Sequence, residues 1–420
     1  MKYLGLDTDY QDIAGISLSN IESRNIQKEL LSHPNMAILD TVETGWTQET
    51  AGFAYDTTDF LFGTKSGKLT TTSGSFNAVV TKTVALNLSG KTISLWFKKS
   101  STITGITIFM LAPNWSDYAS FSIGTANYPN NTWFNFVLPV DSMTKTGSPN
   151  FSNVATLRIE ALGSVNTATL NFDQMHMANS ALSNGAIIIT FDDGNDSDYV
   201  FAKGKMDAFG LKGVSFVTGN LIGTTNFMSL AQMKLMQSVG WDISSHSWSH
   251  PYYTSLTGAQ MIQETVSMKH YLKKNGFASG ARFFAYPYSD YNELAVDLVS
   301  RFHLTSRATV GFSTTGGMCN VPMLPSNQLP CVSVINTTSV ANLTTWIQNV
   351  KATNSLGCIL FHRLVTSAPS EWQYLDTNFN SFIDALAASG VPVITLSDLV
   401  DKYILQPVQD LTPYNWLNLA

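Results

Sequence analysis

Residues 187–199, IIITFDDGNDSDY, join an apolar run to a group of carboxylates and decide how the rest of the chain is interpreted. Three consecutive isoleucines and a threonine indicate a buried strand. Four aspartates follow within seven residues: Asp192, Asp193, Asp196 and Asp198. Because charged residues make up only 13% of the chain, two adjacent carboxylates at the end of a core strand predict a functional site.

Length and composition limit the classes of protein that fit. The 420 residues, 44% of them hydrophobic, suffice for two or three domains with cores of their own. A net charge of −6 argues against a partner with a phosphate backbone, so we expect no nucleic-acid binding. No apolar run is long enough to span a bilayer. The first twenty residues lack the apolar segment of a signal peptide, so export would need another route or a leader absent from this sequence.

The first half of the chain has the pattern of an all-β domain. From about residue 38 to 178 it is rich in Thr, Ser, Asn and aromatic residues, in short alternating runs separated by turn residues. Ile93, Leu95 and Phe97, for example, alternate with less apolar neighbours. This period of two predicts an antiparallel, jelly-roll-like β-sandwich at 38–178. Its tryptophans (Trp96, Trp115 and Trp133) could stack on sugars, as in a carbohydrate-binding domain, although strand aromatics more often fill a core.

The second half alternates strands with helices and predicts an α/β domain at 183–405. One helix starts at Thr257 with a capping box closed by Gln260, and places Met261, Thr265, Met268 and Leu272 on one face. This rhythm implies a parallel sheet, open or closed into a barrel. The predicted strands are 187–190, 214–217, 241–244, 282–285, 358–361 and 393–395.

Two terminal segments and three cysteines complete the outline. Residues 1–37 form a partly helical segment, with the helix at 20–31, that could serve as an anchor, and residues 406–420 form a tail. Three cysteines are too few for a disulfide scaffold. Cys319 and Cys331 flank a proline-rich loop and could be bridged, whereas Cys358 lies in an apolar run and is expected to be a buried thiol.

Polar side chains follow four of the predicted strands. In parallel α/β folds, chemistry gathers at the carboxyl ends of the strands. Those ends carry Asp192 and Asp193, then His246 and His250 in HSWSH, then the segment YPY that contains Tyr288, and finally His362. We therefore expect these side chains to converge.

Two histidines and a carboxylate are the usual protein ligands of a catalytic zinc. The H-x-x-x-H spacing brings His246 and His250 to one side of a turn, and Pro251 places the pair on a loop. Alone this motif is weak, and both histidines could be ordinary loop residues. The adjacent aspartates strengthen the metal interpretation, whereas a calcium loop would need more carboxylates and no imidazole.

The remaining polar groups suggest a division of labour. Because successive residues point in different directions, one aspartate can bind the metal while the other accepts a proton from water. His362 is a candidate general acid, since an imidazole can protonate a leaving group near neutral pH. The alternative for His362 is a structural histidine at a strand end.

The motifs TFDDG, HSWSH, FAYPYSDYN and LFH, in this order, resemble the polysaccharide deacetylases of carbohydrate esterase family 4, the NodB-homology domain. The resemblance covers 186 to about 403, roughly half of the chain. It implies a distorted (β/α) barrel with fewer than eight strands. It further implies Asp192 as catalytic base, Asp193, His246 and His250 as metal ligands, Tyr288 as backbone donor to the oxyanion, and His362 as acid. The metal would be a divalent transition ion: zinc first, with cobalt, nickel or manganese as alternatives.

The sequence departs from this family in three places. Ala285 stands where many members carry an arginine, and Arg307 fits the replacement from a later strand that some subgroups use; Arg282 is the other candidate. Ser289 replaces a frequent glycine. The Asp–Trp pair that tunes the acid histidine in many members is not found. These differences concern the substrate more than the activity.

The resemblance predicts a metal-dependent enzyme that removes N- or O-acetyl groups from an acetylated polysaccharide. The alternative is a catalytically silent glycan-binding module of a phage tail or cell surface; a metallopeptidase would need an H-E-x-x-H motif that the sequence lacks. We expect an extracellular, cell-envelope or virion-associated protein. The N-terminal segment would then contact an assembly partner in the virion or the envelope.

Overall fold

A computed structural model describes residues 36–50, 52–72, 76–111, 115–126, 128–322 and 327–404. The predicted helix at 20–31, the N-terminal assembly segment and the tail at 406–420 lie outside these residues. Within the described residues, no helix is long and apolar enough to cross a membrane. The chain divides into an all-β part followed by an α/β part.

The all-β part consists of two antiparallel sheets. One contains β3, β4, β12, β6 and β9 in that order, with β1 also paired to β12, and the other has the order β10-β8-β7-β11-β5-β2. The strands are β1 Met36–Asp40, β2 Thr47–Gln48, β3 Phe53–Asp56, β4 Ser66–Thr70, β5 Asn77–Leu86, β6 Lys91–Lys99, β7 Ile103–Leu111, β8 Tyr118–Gly124, β9 Phe134–Pro139, β10 Thr144–Thr146, β11 Val154–Gly163 and β12 Thr169–Asn179.

Alternation along the strands accounts for the packing of these two sheets. Ile93, Leu95 and Phe97 of β6 share one buried cluster with Ile106 and Ile108 of β7, which belongs to the other sheet. Apolar side chains that recur at every second position of the strands in both sheets thus form a single apolar layer between the sheets. The prediction that this part of the chain consists mostly of β-strands is confirmed.

The α/β part is built on a closed parallel barrel. Seven strands pair in the order β13-β14-β15-β16-β17-β19-β20, and β13 also pairs in parallel with β20. The strands are β13 Ala186–Phe191, β14 Val214–Val217, β15 Asp242–Ser245, β16 Phe283–Ala285, β17 Thr305–Gly311, β18 Met318–Cys319, β19 Leu329–Ser333, β20 Leu356–Phe361, β21 Leu364–Val365 and β22 Tyr374–Leu375. This confirms the predicted (β/α) barrel with fewer than eight strands.

Helices connect the barrel strands on the outside. The helix at Gly258–Lys274 has the predicted capping box of Thr257 and Gln260, and its four predicted core residues are buried. The α-helices are Gly204–Asp207, Leu230–Ser238, Gly258–Lys274, Glu293–Ser300, Val340–Ala352, Asp376–Ser389 and Leu396–Asp398. Shorter 3₁₀ turns are Val140–Ser142, Phe151–Asn153, Gly219–Leu221, Tyr253–Ser255, Gly280–Arg282 and Pro287–Ser289, and π-helical turns are Asp198–Lys203 and Leu399–Ile404.

Three expectations about the barrel need correction. Strands β17 and β19 were not predicted as strands, and β19 contains Pro330, a residue that weakens any strand assignment. Residues 393–395 were predicted as a strand, but only Val393 forms a bridge, with Ile187. Strand β14 pairs with β13 only at Thr190 and Phe191, so the Val393 segment covers the rest of that edge and gives the barrel its distortion.

The cysteine alternatives are resolved as well. Cys319, Cys331 and Cys358 are all buried and free, so the bridge between Cys319 and Cys331 that the spacing allowed is absent. Cys331 and Cys358 belong to a buried apolar cluster with residues of β13, β14 and β16. The thiols therefore act as small apolar core groups, as expected for Cys358.

The sandwich packs against the amino end of the barrel. The buried cluster that contains Ile188 and Phe216 continues to Val137 and Ala178 of the sandwich. Gln328, just before β19, donates from Nε2 to the Trp133 carbonyl oxygen at 3.0 Å. Gln328 precedes β19, so this contact lies at the amino end of that strand, whereas the predicted site lies at the carboxyl ends of the barrel strands.

Candidate active site

Strand β13 delivers the two aspartates in different orientations. Ala186 and Ile188 belong to the cluster that runs through the barrel, whereas Ile187 and Ile189 pack on the outer helices. Continuing this alternation places Asp192 on the inner side, where it is buried. Asp193 follows with φ +72°, a left-handed backbone that turns the chain away at once. Adjacent carboxylates thus face different surroundings.

The histidine loop after β15 brings its two rings together. His250 Nε2 lies 3.2 Å from His246 Nε2 and 3.3 Å from Asp193 Oδ1, and His246 Nε2 lies 3.7 Å from the same oxygen. One ligand atom from each of the three residues falls within 4.8 Å of the others. The predicted metal ligands are therefore adjacent, and the pair of histidines sits on a loop as expected.

The donor set fits a divalent transition metal. His246 Nδ1 lies 2.9 Å from the Ala285 carbonyl oxygen, which can only accept, so Nδ1 carries the hydrogen. Burial lowers the pKa of His246 to about 3 and also lowers that of His250. Neutral imidazoles with a free Nε2 lone pair beside a carboxylate form a combination that zinc and similar ions prefer.

Asp192 lies beside this cluster and is paired with Arg307. Its Oδ2 accepts a hydrogen bond from Arg307 Nη2 and lies 3.6 Å from His246 Nε2. Burial alone would raise the pKa of Asp192, but the charge of Arg307, the largest opposing cause, acts against it, and the pKa stays below its usual value. Burial and the neighbouring charge of Asp192 raise the pKa of Asp193. The carboxylate of Asp192 is thus ionised and oriented.

The register of the sheet explains why Arg307 can fill the position that Ala285 leaves vacant. Ala285 of β16 and Arg307 of β17 are direct partners in the parallel ladder. Arg307 lies within β17, fully buried, with its guanidinium 5.3 Å from the Phe216 ring. Arg282 instead pairs with Asp401 at 2.6 and 2.9 Å near the start of β16, far from the carboxylates.

His362 follows β20 and contacts a tryptophan. The His362 ring lies 5.6 Å from that of Trp372 at an angle of 64°, a contact that the sequence did not predict. Nδ1 of His362 is buried and has no hydrogen-bond partner among the described residues. A carboxylate on this nitrogen is therefore missing from the described part of the chain.

Tyr288 lies beside the histidines. Its φ is +57° and its ring lies 4.4 Å from that of His250. The following Ser289, which replaces a frequent glycine, also has positive φ, at +52°. The turn therefore brings both the Tyr288 main chain and its ring to the same edge of the barrel as the other predicted groups.

Sequence reasoning missed the residues that hold these loops. Glu264 accepts hydrogen bonds from the amides of Trp248 and Ser249 at 3.0 and 2.7 Å, inside the histidine loop. Asn195 donates from Nδ2 to the Asp192 carbonyl oxygen at 3.1 Å. Arg363, next to His362, pairs with Asp196 at 2.6 Å. No sequence pattern indicates a role for Glu264, because it looks like any polar residue on an amphipathic helix.

The last aspartate of the opening stretch is not a ligand. Asp198 is fully buried and accepts from Ser215 Oγ at 2.8 Å. Burial raises the pKa of Asp198 well above its usual value, and the residue is a hydrogen-bonded core group. The four aspartates thus divide into a buried carboxylate paired with Arg307, a candidate ligand, an ion-pair partner and a core residue.

Comparison with known proteins agrees with this site. The family model of polysaccharide deacetylases matches residues 179–306. The Bacillus subtilis (strain 168) protein named "Putative polysaccharide deacetylase YxkH" is 33% identical over 111 residues, which is 26% of this chain and 39% of that protein. Residues 179–306 are therefore similar to the polysaccharide deacetylase family, and the chain spans well under half of the length of this relative.

Two solved structures are also similar to the barrel part. The Xyl-CE4 domain of a multidomain xylanase from the hindgut metagenome of Trinervitermes trinervoides is 18% identical, with a TM-score of 0.38 over 52% of this chain and 91% of that one. A family 4 acetyl xylan esterase from Clostridium thermocellum, in complex with a cobalt ion, is 18% identical, with a TM-score of 0.35 over 51% and 90%.

Proposed function

We propose that this protein is a metal-dependent hydrolase that removes acetyl groups from an acetylated polysaccharide. The observation that carries the proposal is the pairing of two features: a ligand cluster of Asp193, His246 and His250, and a separate buried carboxylate, Asp192, held by Arg307. A Lewis acid and a general base side by side are a combination that can hydrolyse an acetyl group. The similarity to the polysaccharide deacetylase family supplies the class of substrate.

The residues of the chain would share the steps as follows. A divalent ion, with zinc preferred, would polarise the acetyl carbonyl. Asp192 takes a proton from the attacking water, whose oxygen bonds to the acetyl carbon. The Tyr288 amide donates to the oxygen that gains negative charge. His362 then protonates the leaving amine or alcohol as the carbon–nitrogen or carbon–oxygen bond breaks, and acetate leaves.

The test combines activity with metal content. Purified protein should release acetate from 4-nitrophenyl acetate and from acetylated xylan or chitin oligomers, lose this activity after dialysis against a chelator, and regain it with zinc, cobalt, nickel or manganese. His246→Ala should lose the metal by elemental analysis, whereas His270→Ala, on an exposed helix position, should keep it. Full metal retention in His246→Ala would refute the ligand assignment.

The proposal extends to where the protein acts. Acetylated polysaccharides are found outside the cytoplasm, which supports an extracellular, cell-envelope or virion-associated location, with a carbohydrate-binding role for the sandwich. Fractionation of source cells and of any phage lysate, followed by immunoblotting, tests the location. Detection in the cytosolic fraction alone would contradict it.

A further inference from the structure

Two exposed tyrosines form a stacked pair on the surface of the barrel. Tyr252 is 55% exposed and Tyr288 is 56% exposed. Their ring centroids are 4.0 Å apart and their planes differ by 10°. Stacking covers one face of each ring only, so apolar surface remains in water at a free-energy cost. Neither side chain fills a core, and packing alone therefore does not account for the pair.

The pair begins at the candidate active site. The Tyr288 ring lies 4.4 Å from the ring of His250, and His250 is one of the candidate metal ligands. Tyr252 comes two residues after His250 and stacks on Tyr288. The two rings thus continue from the polar centre toward solvent.

Buried contacts hold the pair in place. Tyr253, next to Tyr252, is fully buried, and its hydroxyl lies 3.1 Å from Thr265 Oγ1. Thr254 donates from its amide to Asp290 Oδ2 at 2.7 Å, which ties the Tyr252 loop to the loop of Tyr288. A surface that is already ordered loses little conformational entropy when a ligand binds.

A third exposed aromatic side chain lies next to the site, on a loop that follows a different strand of the barrel. Trp372 is 52% exposed and lies 5.6 Å from the His362 ring. Tyr252 and Tyr288 follow the third and fourth strands of the barrel, whereas Trp372 follows the seventh. Since the strands close into a ring, these loops stand across the barrel mouth from each other. Exposed aromatic rings therefore border the polar centre on two sides.

We propose that the Tyr252–Tyr288 pair is a sugar-binding platform next to the reacting centre. The C–H faces of a pyranose ring are apolar and stack on the negative face of an aromatic ring. Aromatic surface beside a few polar groups is the usual composition of a ligand site. The substrate is then an oligosaccharide or polysaccharide that crosses the mouth, with its acetyl group at the centre. This inference rests on the proposed function.

Calorimetry on the metal-free protein tests the platform without catalysis. The probes are tetra-N-acetylchitotetraose and acetylated xylotetraose, each with its acetylated monosaccharide. Whichever of the two tetramers binds to the wild type should bind about tenfold more weakly to Tyr252→Ala. This factor corresponds to a loss of about 1.4 kcal/mol of binding free energy. Tyr252→Phe should bind normally, because the ring rather than the hydroxyl makes the contact. Phe209→Ala removes an exposed ring far from the mouth and is the matched control.

Kinetics on the metal-loaded protein give an independent readout. The KM for the tetramer should rise in Tyr252→Ala, and the loss of kcat/KM should be about tenfold larger for the tetramer than for 4-nitrophenyl acetate. Equal tetramer affinity in Tyr252→Ala and wild type, or no preference of the wild type for tetramer over monosaccharide, would overturn the platform. If no substrate released acetate, the proposed function would be refuted instead. The calorimetry measures binding only and does not require that the protein be active.

Discussion

Asp192 and Asp193 are adjacent in the sequence, but their carboxylates have different surroundings and therefore different chemistry. Asp192 is buried against Arg307, whose charge keeps its pKa low despite the burial. Asp193 points to the two histidines, and its pKa is raised by burial and by Asp192. A base must be ionised and close to water, whereas a ligand only needs an oxygen in the cluster. The two environments match those two roles.

We expect Asp192→Asn to lower kcat by at least about 100-fold, the usual loss when a general base is removed. The amide keeps the shape of the carboxylate but cannot take up a proton, so metal content should stay near that of the wild type. Stopped-flow or colorimetric rates together with elemental analysis check both statements. If Asp192→Asn loses the metal while Asp193→Asn keeps it, the two roles are reversed.

Arg307→Ala should lower kcat by about one to three orders of magnitude, because the base loses its orientation. Its pH profile should change as well: without the positive charge the pKa of Asp192 rises, so the acidic limb of kcat/KM moves to higher pH. Circular dichroism must show an intact fold. Arg282→Ala breaks the exposed pair with Asp401 and should leave both kcat and the acidic limb unchanged. An unshifted limb in Arg307→Ala would show that another group orients the base.

At the scale of elements, the loops at the barrel mouth depend on residues in the surrounding helices. Glu264, on the helix Gly258–Lys274, accepts from two amides and from Ser249 Oγ at 2.7 Å. These contacts fix the segment between the two candidate ligands, in which Ser247 and His250 have φ of +66° and +62°. Such strained backbone persists only when the surroundings hold it.

Glu264→Ala should therefore weaken metal binding by about tenfold to a hundredfold, the range for lost support of a ligand. The measurement is a competition titration of zinc against a chromophoric chelator. Gln263→Ala removes the exposed neighbour on the same helix and serves as control. Unchanged affinity in Glu264→Ala would mean that the loop holds its shape without the helix.

At the scale of the whole molecule, burial of neutral histidines couples stability to pH. His176 of β12 is buried in the sandwich, and its ring lies 6.3 Å from Phe62. Burial lowers the pKa of His176 to about 4, and burial also lowers the pKa of His303 in the barrel part well below its usual value. Both rings are therefore neutral in the folded protein at neutral pH.

Stability should fall as pH drops from about 6.5 to about 4, because the unfolded His176 then binds a proton that the folded ring does not. The contribution has a slope of at most about 1.4 kcal/mol per pH unit for one histidine. Denaturant titrations of wild type and His176→Phe between pH 7.5 and 4.5 measure it. The variant should show the smaller slope, and His270→Ala the slope of the wild type. Parallel curves for wild type and His176→Phe would contradict the buried neutral state.

Features that depend on a local pattern of residues could be predicted from the sequence. The apolar run before Asp192, the capping box at Thr257 and the strand Val214–Val217 follow from neighbouring residues, because burial and helix capping act over a few positions. The same holds for the order of the four motifs, which identified the barrel and its polar strand ends. These features required no knowledge of distant contacts.

Other contacts could be identified from the tertiary structure alone. They are the arginine that faces Asp192, the glutamate that holds the histidine loop and the tryptophan that contacts His362. None of these contacts follows from a local pattern, because the partners lie between 10 and 115 positions apart. Arg307 reaches the base because β17 pairs in register with β16 at Ala285, and barrel closure sets that register. Strand β19 was missed for the same reason: Pro330 disfavours a strand locally, and pairing with β17 and β20 in the closed barrel outweighs it.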